Sequence, residues 1–146
     1  LLNPRILVVT AKQSTITGLE PALGTALTLV RGRNCAEGRY QLQLPGDFAA
    51  VLAEHAEGSD EMIQLLAEAG RARPKARRLL LAEACDLQLV IRALHSGVVH
   101  KLIYHPIDAR DVRTALEGIL PAPPPPRPYA QAAAHLPRPV TPVRRG

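Results

Sequence analysis

The chain has 146 residues and a formal net charge of +5, with 47% hydrophobic residues, only 3% aromatics and no Trp. That length suits one ordinary domain plus a tail, with a core of Leu, Val, Ile and Ala rather than rings. Four cations, Arg127, Arg138, Arg144 and Arg145, follow Leu120 in a stretch without acids, and removing them leaves the rest at about +1. A basic nucleic-acid face on the domain itself is therefore not expected.

The two cysteines, Cys35 and Cys85, lie far apart with no His or Cys at ligand spacing, and read as buried reduced thiols. No apolar run approaches the roughly 20 residues of a membrane span, and no signal-peptide pattern opens the chain. A cytoplasmic protein is the expectation. The absent initiator Met and the ending Arg144-Arg145-Gly146 suggest a piece of something longer.

In chain order, Arg5 to Val9 is an apolar, β-branched run that reads as a strand ending at Thr10. Ile16, Leu19, Leu23 and Ala26 follow at helical spacing. Gly18 and Pro21 oppose one clean helix, so it should start late with Pro21 in its first turn, or be kinked. Leu27 to Val30 is a second strand, turned by Gly32. Asn34 can cap a short helix reaching Leu42 or Leu44, with Gly38 as an interruption and Pro45-Gly46 as its end. Phe48 to Leu52 reads as the central third strand.

Ser59 or Asp60 can cap a helix carrying Met62, Leu65, Leu66 and Ala69 on its inner face, closed by Gly70 and Pro74. Glu68 and other scattered acids look like solvated helix faces. Leu79 to Leu81 and Leu102 to Tyr104 are short apolar runs of the kind covered on both faces. Between them Asp86 can cap a helix with Leu87, Val90, Ile91 and Leu94 inward, stopped by Gly97. After Pro106, Asp108 can cap a last helix whose apolar face is Val112, Ala115, Leu116, Ile119 and Leu120.

Five strand–helix units in this order imply an α/β fold: a flavodoxin-like, doubly wound parallel sheet of (βα)5 type, strand order 2-1-3-4-5. The domain should span residues 1–120. From Pro121 the character changes: Pro121, Pro123 to Pro126, Pro128, Pro137, Pro139 and Pro142 make residues 121–146 a Pro-rich basic linker or tail without a core-forming pattern.

The segments Arg77-Arg78-Leu79-Leu80-Leu81-Ala82-Glu83-Ala84-Cys85-Asp86-Leu87, Ala93-Leu94-His95-Ser96-Gly97 and Lys101-Leu102-Ile103-Tyr104-His105-Pro106 resemble the receiver domain of bacterial response regulators. The resemblance covers about residues 4 to 120. Receivers carry a strand ending in Thr or Ser, a helix opened by Asp and closed by Gly, and a strand ending in Lys-Pro. It implies a carboxylate pair after the first strand, a phospho-accepting Asp after the third, a hydroxyl after the fourth and a Lys after the fifth. Such a set is what Mg²⁺ and a transferring phosphoryl group require.

Here the frame persists and the chemistry departs from it. Aligned by strand ends, the acidic pair has become Thr10 and Ala11, the phospho-accepting position Glu54, the hydroxyl Ala82 and the Lys His105. The aromatic switch position is Leu102. A single carboxylate holds a hard divalent ion weakly, so neither a metal nor another cofactor is expected. The resemblance therefore implies a degenerate variant, a pseudo-receiver, without Mg²⁺-dependent aspartyl phosphorylation. Glu54 is either a tolerated loop carboxylate or a built-in charge near the phosphoryl position, with Lys12 and His105 to neutralise it. His105 also invites a pH switch. His55, His95 and His100 lack the spacing of a metal site.

With the chemistry removed, surface remains, and the first functional expectation is a non-enzymatic signalling adaptor. In receivers the face of the fourth helix, fifth strand and fifth helix commonly dimerises or meets an output domain. Here it would include Arg92, Leu102, Tyr104, Arg110, Asp111, Arg113 and Glu117, whose charges of both signs suit a symmetric homodimer. The partner would be another protein or an output domain beyond the linker, of cyclic-di-GMP-turnover, HD-type or transcriptional kind by analogy. A second expectation is a small-ligand-binding or enzymatic domain with a pocket around Glu54, Lys12 and His105. A third, nucleic-acid binding by the arginine tail, requires affinity that collapses with salt.

Overall fold

The computed structural model describes residues 3–56, 59–83 and 87–120. Its elements alternate along the chain: β1 (Arg5–Val9), α1 (Gln13–Leu23), β2 (Thr28–Gly32), α2 (Cys35–Gln43), β3 (Ala50–Glu54), α3 (Glu61–Ala72), β4 (Arg77–Ala82), α4 (Leu87–His95), β5 (Lys101–Tyr104) and α5 (Ala109–Ala115). The strands form one sheet in the order β2-β1-β3-β4-β5, and every neighbouring pair is parallel. This is the expected flavodoxin-like (βα)5 arrangement.

Strand pleating sorts the core into two layers. Alternate side chains of one strand point to opposite faces, so Ile6 and Val8 pack with α1 and α5, while Leu7 and Val9 pack with α2, α3 and α4. In β3 all five residues are buried, which is why it reads as unbroken apolar sequence until its last residue. Asn34 caps α2 by accepting a hydrogen bond from the Glu37 amide at 2.9 Å, and Asp108 does the same for Arg110 at 2.8 Å. Asp86, the expected cap of α4, and Cys85 lie outside the described residues; Cys35 is a buried free thiol.

Several local expectations are corrected. α1 does not start late: it begins at Gln13 and runs through Pro21. Pro21 lies on the exposed side of the last turn, where water can reach the carbonyl it leaves unbonded. The helix stops at Gly24, which has φ 55° and donates to the Glu20 carbonyl at 2.9 Å. β2 is shifted toward its C-terminal side, and Gly32 is its last residue rather than a turn. β3 begins at Ala50 rather than at Phe48, which is buried in the core layer of α2, α3 and α4 with the Arg5 guanidinium 4.5 Å from its ring centre.

Gly38 and Gly70 also prove to be helix-interior residues rather than breakers. A Cβ on Gly38 would meet Val9 Cγ2 at 2.9 Å and Leu65 Cδ2 at 3.0 Å, and one on Gly70 would meet the Arg78 guanidinium at 3.0 Å. Glu68 is not simply solvated, since Arg39 donates to both its oxygens at 2.8 and 3.2 Å. Ile91 is 39% exposed while Val90 and Ala93 are buried, so the inner face of α4 is narrower than expected. α5 ends at Ala115, yet Leu116 and Leu120 beyond it remain in the core.

Gly18 and Gly38, both inside helices, should respond to alanine with opposite signs. At Gly18 the new methyl group meets nothing closer than 3.5 Å, so Gly18→Ala should gain about 0.5–1 kcal/mol from helix propensity. Gly38→Ala should lose about 1–3 kcal/mol by overpacking β1 against α3. Urea unfolding of both variants measures the difference.

Candidate functional site

In a doubly wound sheet the functional crevice opens at the carboxyl ends of the strands, where strand order reverses. Here the reversal lies between β1 and β3, and Glu54 closes β3 as its last residue. The register pairs Glu54 with Leu81 of β4, and its side chain is 7% exposed. A nearly buried carboxylate needs partners, because an uncompensated buried charge is expensive. The neighbouring elements supply four.

Oε1 accepts two hydrogen bonds, from Thr10 Oγ1 at 2.5 Å and from Thr15 Oγ1 at 2.6 Å. Oε2 faces Lys12 Nζ at 3.6 Å and His105 Nε2 at 2.9 Å. The His105 N–H is not aimed at the oxygen closely enough for a hydrogen bond, so that contact acts through charge and proximity. Thr10 is oriented in turn, because its Oγ1 accepts from the Lys12 amide at 3.0 Å. Arg31 holds the Thr10 carbonyl with Nε at 3.3 Å and Nη2 at 3.2 Å.

Burial is the largest single influence on Glu54 and pushes its pKa up. The hydrogen bonds of Thr10 and Thr15, then the charges of His105 and Lys12, together outweigh it and hold the carboxyl below its ordinary value. Glu54 therefore stays ionised at neutral pH, with Oε1 hydrogen-bonded twice and Oε2 facing Lys12 and His105.

Of the expected pocket residues, Thr10, Lys12, Glu54 and His105 come together. Ala11 is exposed at the rim, and Ala82 is buried at the end of β4, where it presents only a methyl group. Among the described residues no three His, Cys, Asp or Glu side chains are grouped as metal ligands. His100 instead accepts from the Arg78 amide through Nδ1 at 2.9 Å.

Thr15 escapes a strand-end alignment because it lies in the first turn of α1. Its signal is position: Thr15, Leu19 and Ala22 share the buried face of the helix, so a hydroxyl there is aimed at the sheet. Outside the carboxylate a shallow hollow of about 280 Å³ is lined by Lys12, Ser14, Thr15, Gly18, His105 and Pro106. That lies just under the ~300–1,000 Å³ of common small-molecule sites, which counts against a ligand pocket. The His105–Pro106 peptide is cis. On the expected docking face Arg92, Tyr104, Arg110, Asp111, Arg113 and Glu117 are exposed and Leu102 is half-buried. β5 is the edge strand there, with α4 and α5 in opposite layers.

The lowered pKa of Glu54 fixes the sign of a pH effect. A carboxyl depressed in the folded state contributes stability at higher pH and loses it as pH falls through the folded value. Glu54→Gln should therefore cost about 1–3 kcal/mol near neutrality, with the gap to wild type closing as pH falls below about 4. Urea unfolding of both proteins from pH 3 to pH 7 reads it, and a gap that widens in acid would contradict it.

No protein-family model matches the chain, and no curated protein matches it by sequence. Solved structures do match by shape. A response regulator from Thermotoga maritima superposes with a TM-score of 0.70 at 20% identity, over 81% of this chain and 98% of that one. The signal receiver domain of an HD domain-containing protein from Pseudomonas fluorescens Pf-5 gives 0.67 at 24% identity, over 79% and 92%. An adenylate cyclase from Rhodopirellula baltica gives 0.72 at 20% identity, over 81% and 87%. No helix among the described residues is long and apolar enough to cross a membrane. The fold of the described residues is that of the response-regulator receiver, or CheY-like, domain.

Proposed function

We infer that this chain is a pseudo-receiver: a receiver-fold signalling domain that works without phosphorylation, by docking to a protein partner or to an output domain beyond its Pro-rich tail. The observation that carries this reading is the state of Glu54. At the position of a receiver's phospho-acceptor stands a carboxylate with one oxygen held by the hydroxyls of Thr10 and Thr15 and the other facing Lys12 and His105.

Phosphoryl transfer to a carboxylate needs a free oxygen to attack and a hard cation held by several oxygen ligands to neutralise the incoming group. Thr10 offers a hydroxyl already committed to Glu54, and Ala11 and Ala82 offer methyl groups. In place of a transient phosphoryl group, the permanent charge of Glu54 ties β3 to β1, α1 and the end of β5. The domain is thereby held in one arrangement of its crevice loops, and its surface is constitutively presented. The α4–β5–α5 face, with Arg92, Tyr104, Arg110, Asp111, Arg113 and Glu117, is the surface we assign to a partner or to a second copy. Two structural neighbours are a receiver of an HD domain-containing protein and an adenylate cyclase, which makes a nucleotide-signalling or HD-type output the class to seek. On this reading the domain is not an enzyme and works in the cytoplasm.

The full chain serves as bait in extracts of the source cell, with and without prior treatment with radiolabelled acetyl phosphate and Mg²⁺. The same partner set should be captured in both arms, no label should enter the protein, and Arg113→Glu combined with Tyr104→Ala should reduce capture. Label at Glu54, or capture that depends on acetyl phosphate, would overturn the reading.

A further inference from the structure

At the end of the sheet away from Glu54, where β1, β3 and β4 begin, lies a groove of about 820 Å³. That is within the ~300–1,000 Å³ of pockets that take a drug-sized group. Pro4, Ala72, Pro74 and Ala76 give it apolar walls, and its charged lining is Arg5, Arg73, Lys75 and one acid, Asp47. Asn3 also lines it, with its amide already donated to the Thr25 carbonyl at 2.9 Å. Phe48, the ring at this end, is 4% exposed beneath the Arg5 guanidinium.

The cations at this end keep their charge uncompensated, because their hydrogen bonds go to carbonyls. Arg73 gives Nη2 to the Leu44 carbonyl at 2.8 Å and Nη1 to that of Ala72 at 3.1 Å. Arg77, which opens β4, gives Nη1 to the carbonyls of Ala115 at 3.0 Å and Glu117 at 2.6 Å. Arg78 gives Nε to Val98 at 2.8 Å and Nη2 to Gly97 at 3.0 Å. A carbonyl satisfies a donor and brings no net charge. Lys75 is exposed, and Lys101 begins β5 beside β4. The acids nearby are Asp47, Glu20 in the last turn of α1 and Glu117 after α5, and among the described residues none of them forms an ion pair with these cations. His100 registers the resulting field, since its pKa is lowered first by burial and then by the charges of Arg78 and Arg77.

A recess with apolar walls and surplus positive charge suits an occupant that carries both aliphatic side chains and carboxylates. Recognition of acidic motifs by arginine clusters is a recurring mode of peptide binding. A single-stranded nucleic acid would want exposed rings for its bases, and Phe48 is buried. A bilayer surface would reach the rim and leave the recess unfilled. We propose that this groove is a docking site for an acidic segment of a protein partner, with aliphatic side chains against Pro4, Pro74 and Ala76 and carboxylates facing Arg5, Arg73 and Lys75. Asp47 repels a carboxylate at its own position, which orients the segment. Opposite charges steer the encounter, and affinity falls as salt rises. The groove shares no residue with the α4–β5–α5 face, and its use does not depend on how Glu54 is read.

Fluorescence anisotropy of a short labelled peptide of alternating Glu and Leu, titrated with the full chain, tests this. Binding should saturate, and should weaken about tenfold when every Leu is replaced by Ser or every Glu by Gln. Lys75→Glu, a change at an exposed position, should also weaken it about tenfold, whereas Arg33→Glu, the same charge change at the opposite end of the sheet, should leave it within about twofold. Amide NMR should place the peptide at Asp47, Phe48, Ala49, Lys75 and Ala76. Equal binding of the Leu-free peptide, equal weakening by both variants, or no saturation at millimolar concentration would overturn the proposal. So would tighter retention of duplex DNA or phosphatidylserine vesicles than of the peptide, because the occupant would then be a nucleic acid or a membrane.

Discussion

One nearly buried carboxylate organises the working end of this molecule. Glu54 ends the central strand, where ionisation without partners would be prohibitive, and the surrounding elements are arranged to meet it. Thr10 comes from the end of β1, Lys12 from the entry to α1, Thr15 from its first turn and His105 from the end of β5. Two hydroxyls satisfy one oxygen, and Lys12 and His105 face the other. A single side chain thus joins β1, α1, β3 and β5 at the crevice, and its low pKa is the thermodynamic expression of that joining.

On the proposed reading this arrangement recasts a switch as a fixture. In a receiver the same place must accept a group and release it, which demands a vacant oxygen, a cation and loops that move between states. On the proposed reading, a side chain one methylene longer than Asp, with one oxygen held by two hydroxyls and the other facing Lys12 and His105, does not serve as that acceptor. The scaffold is unaffected because it depends on other residues. The two core layers, one under α1 and α5 and one under α2, α3 and α4, are built from aliphatic side chains that take no part in the crevice. Fold and switch chemistry are therefore separable in this architecture, and the fold can persist as a docking body.

The same separation explains what was legible in the residues alone. Strand order and helix count follow from alternating apolar runs and helical spacing, and those patterns are strong in β1, β4 and α3. The pocket positions Thr10, Lys12, Glu54 and His105 were also accessible, because strand ends locate them. Thr15 was not, since a hydroxyl early in a helix looks like any exposed polar residue until the helix face is known. Gly38 and Gly70 read as helix breakers because a demand for close approach comes from Val9, Leu65 and Arg78, which are distant in sequence. Phe48 read as strand because burial just before a strand and burial within it leave the same apolar letter. Pro21 read as an obstacle because its exposure could not be seen.

The central claim, that the crevice is internally compensated and closed to metal and phosphoryl chemistry, is most directly met by titrating the full chain with Mg²⁺ and beryllofluoride while following its amide NMR spectrum. The account predicts that the amides of Thr10, Glu54, His55 and His105 stay in place at millimolar Mg²⁺ with the phosphoryl mimic present. Saturable movement of those amides, with Mg²⁺ required for it, would show a working phosphoacceptor pocket and contradict the account.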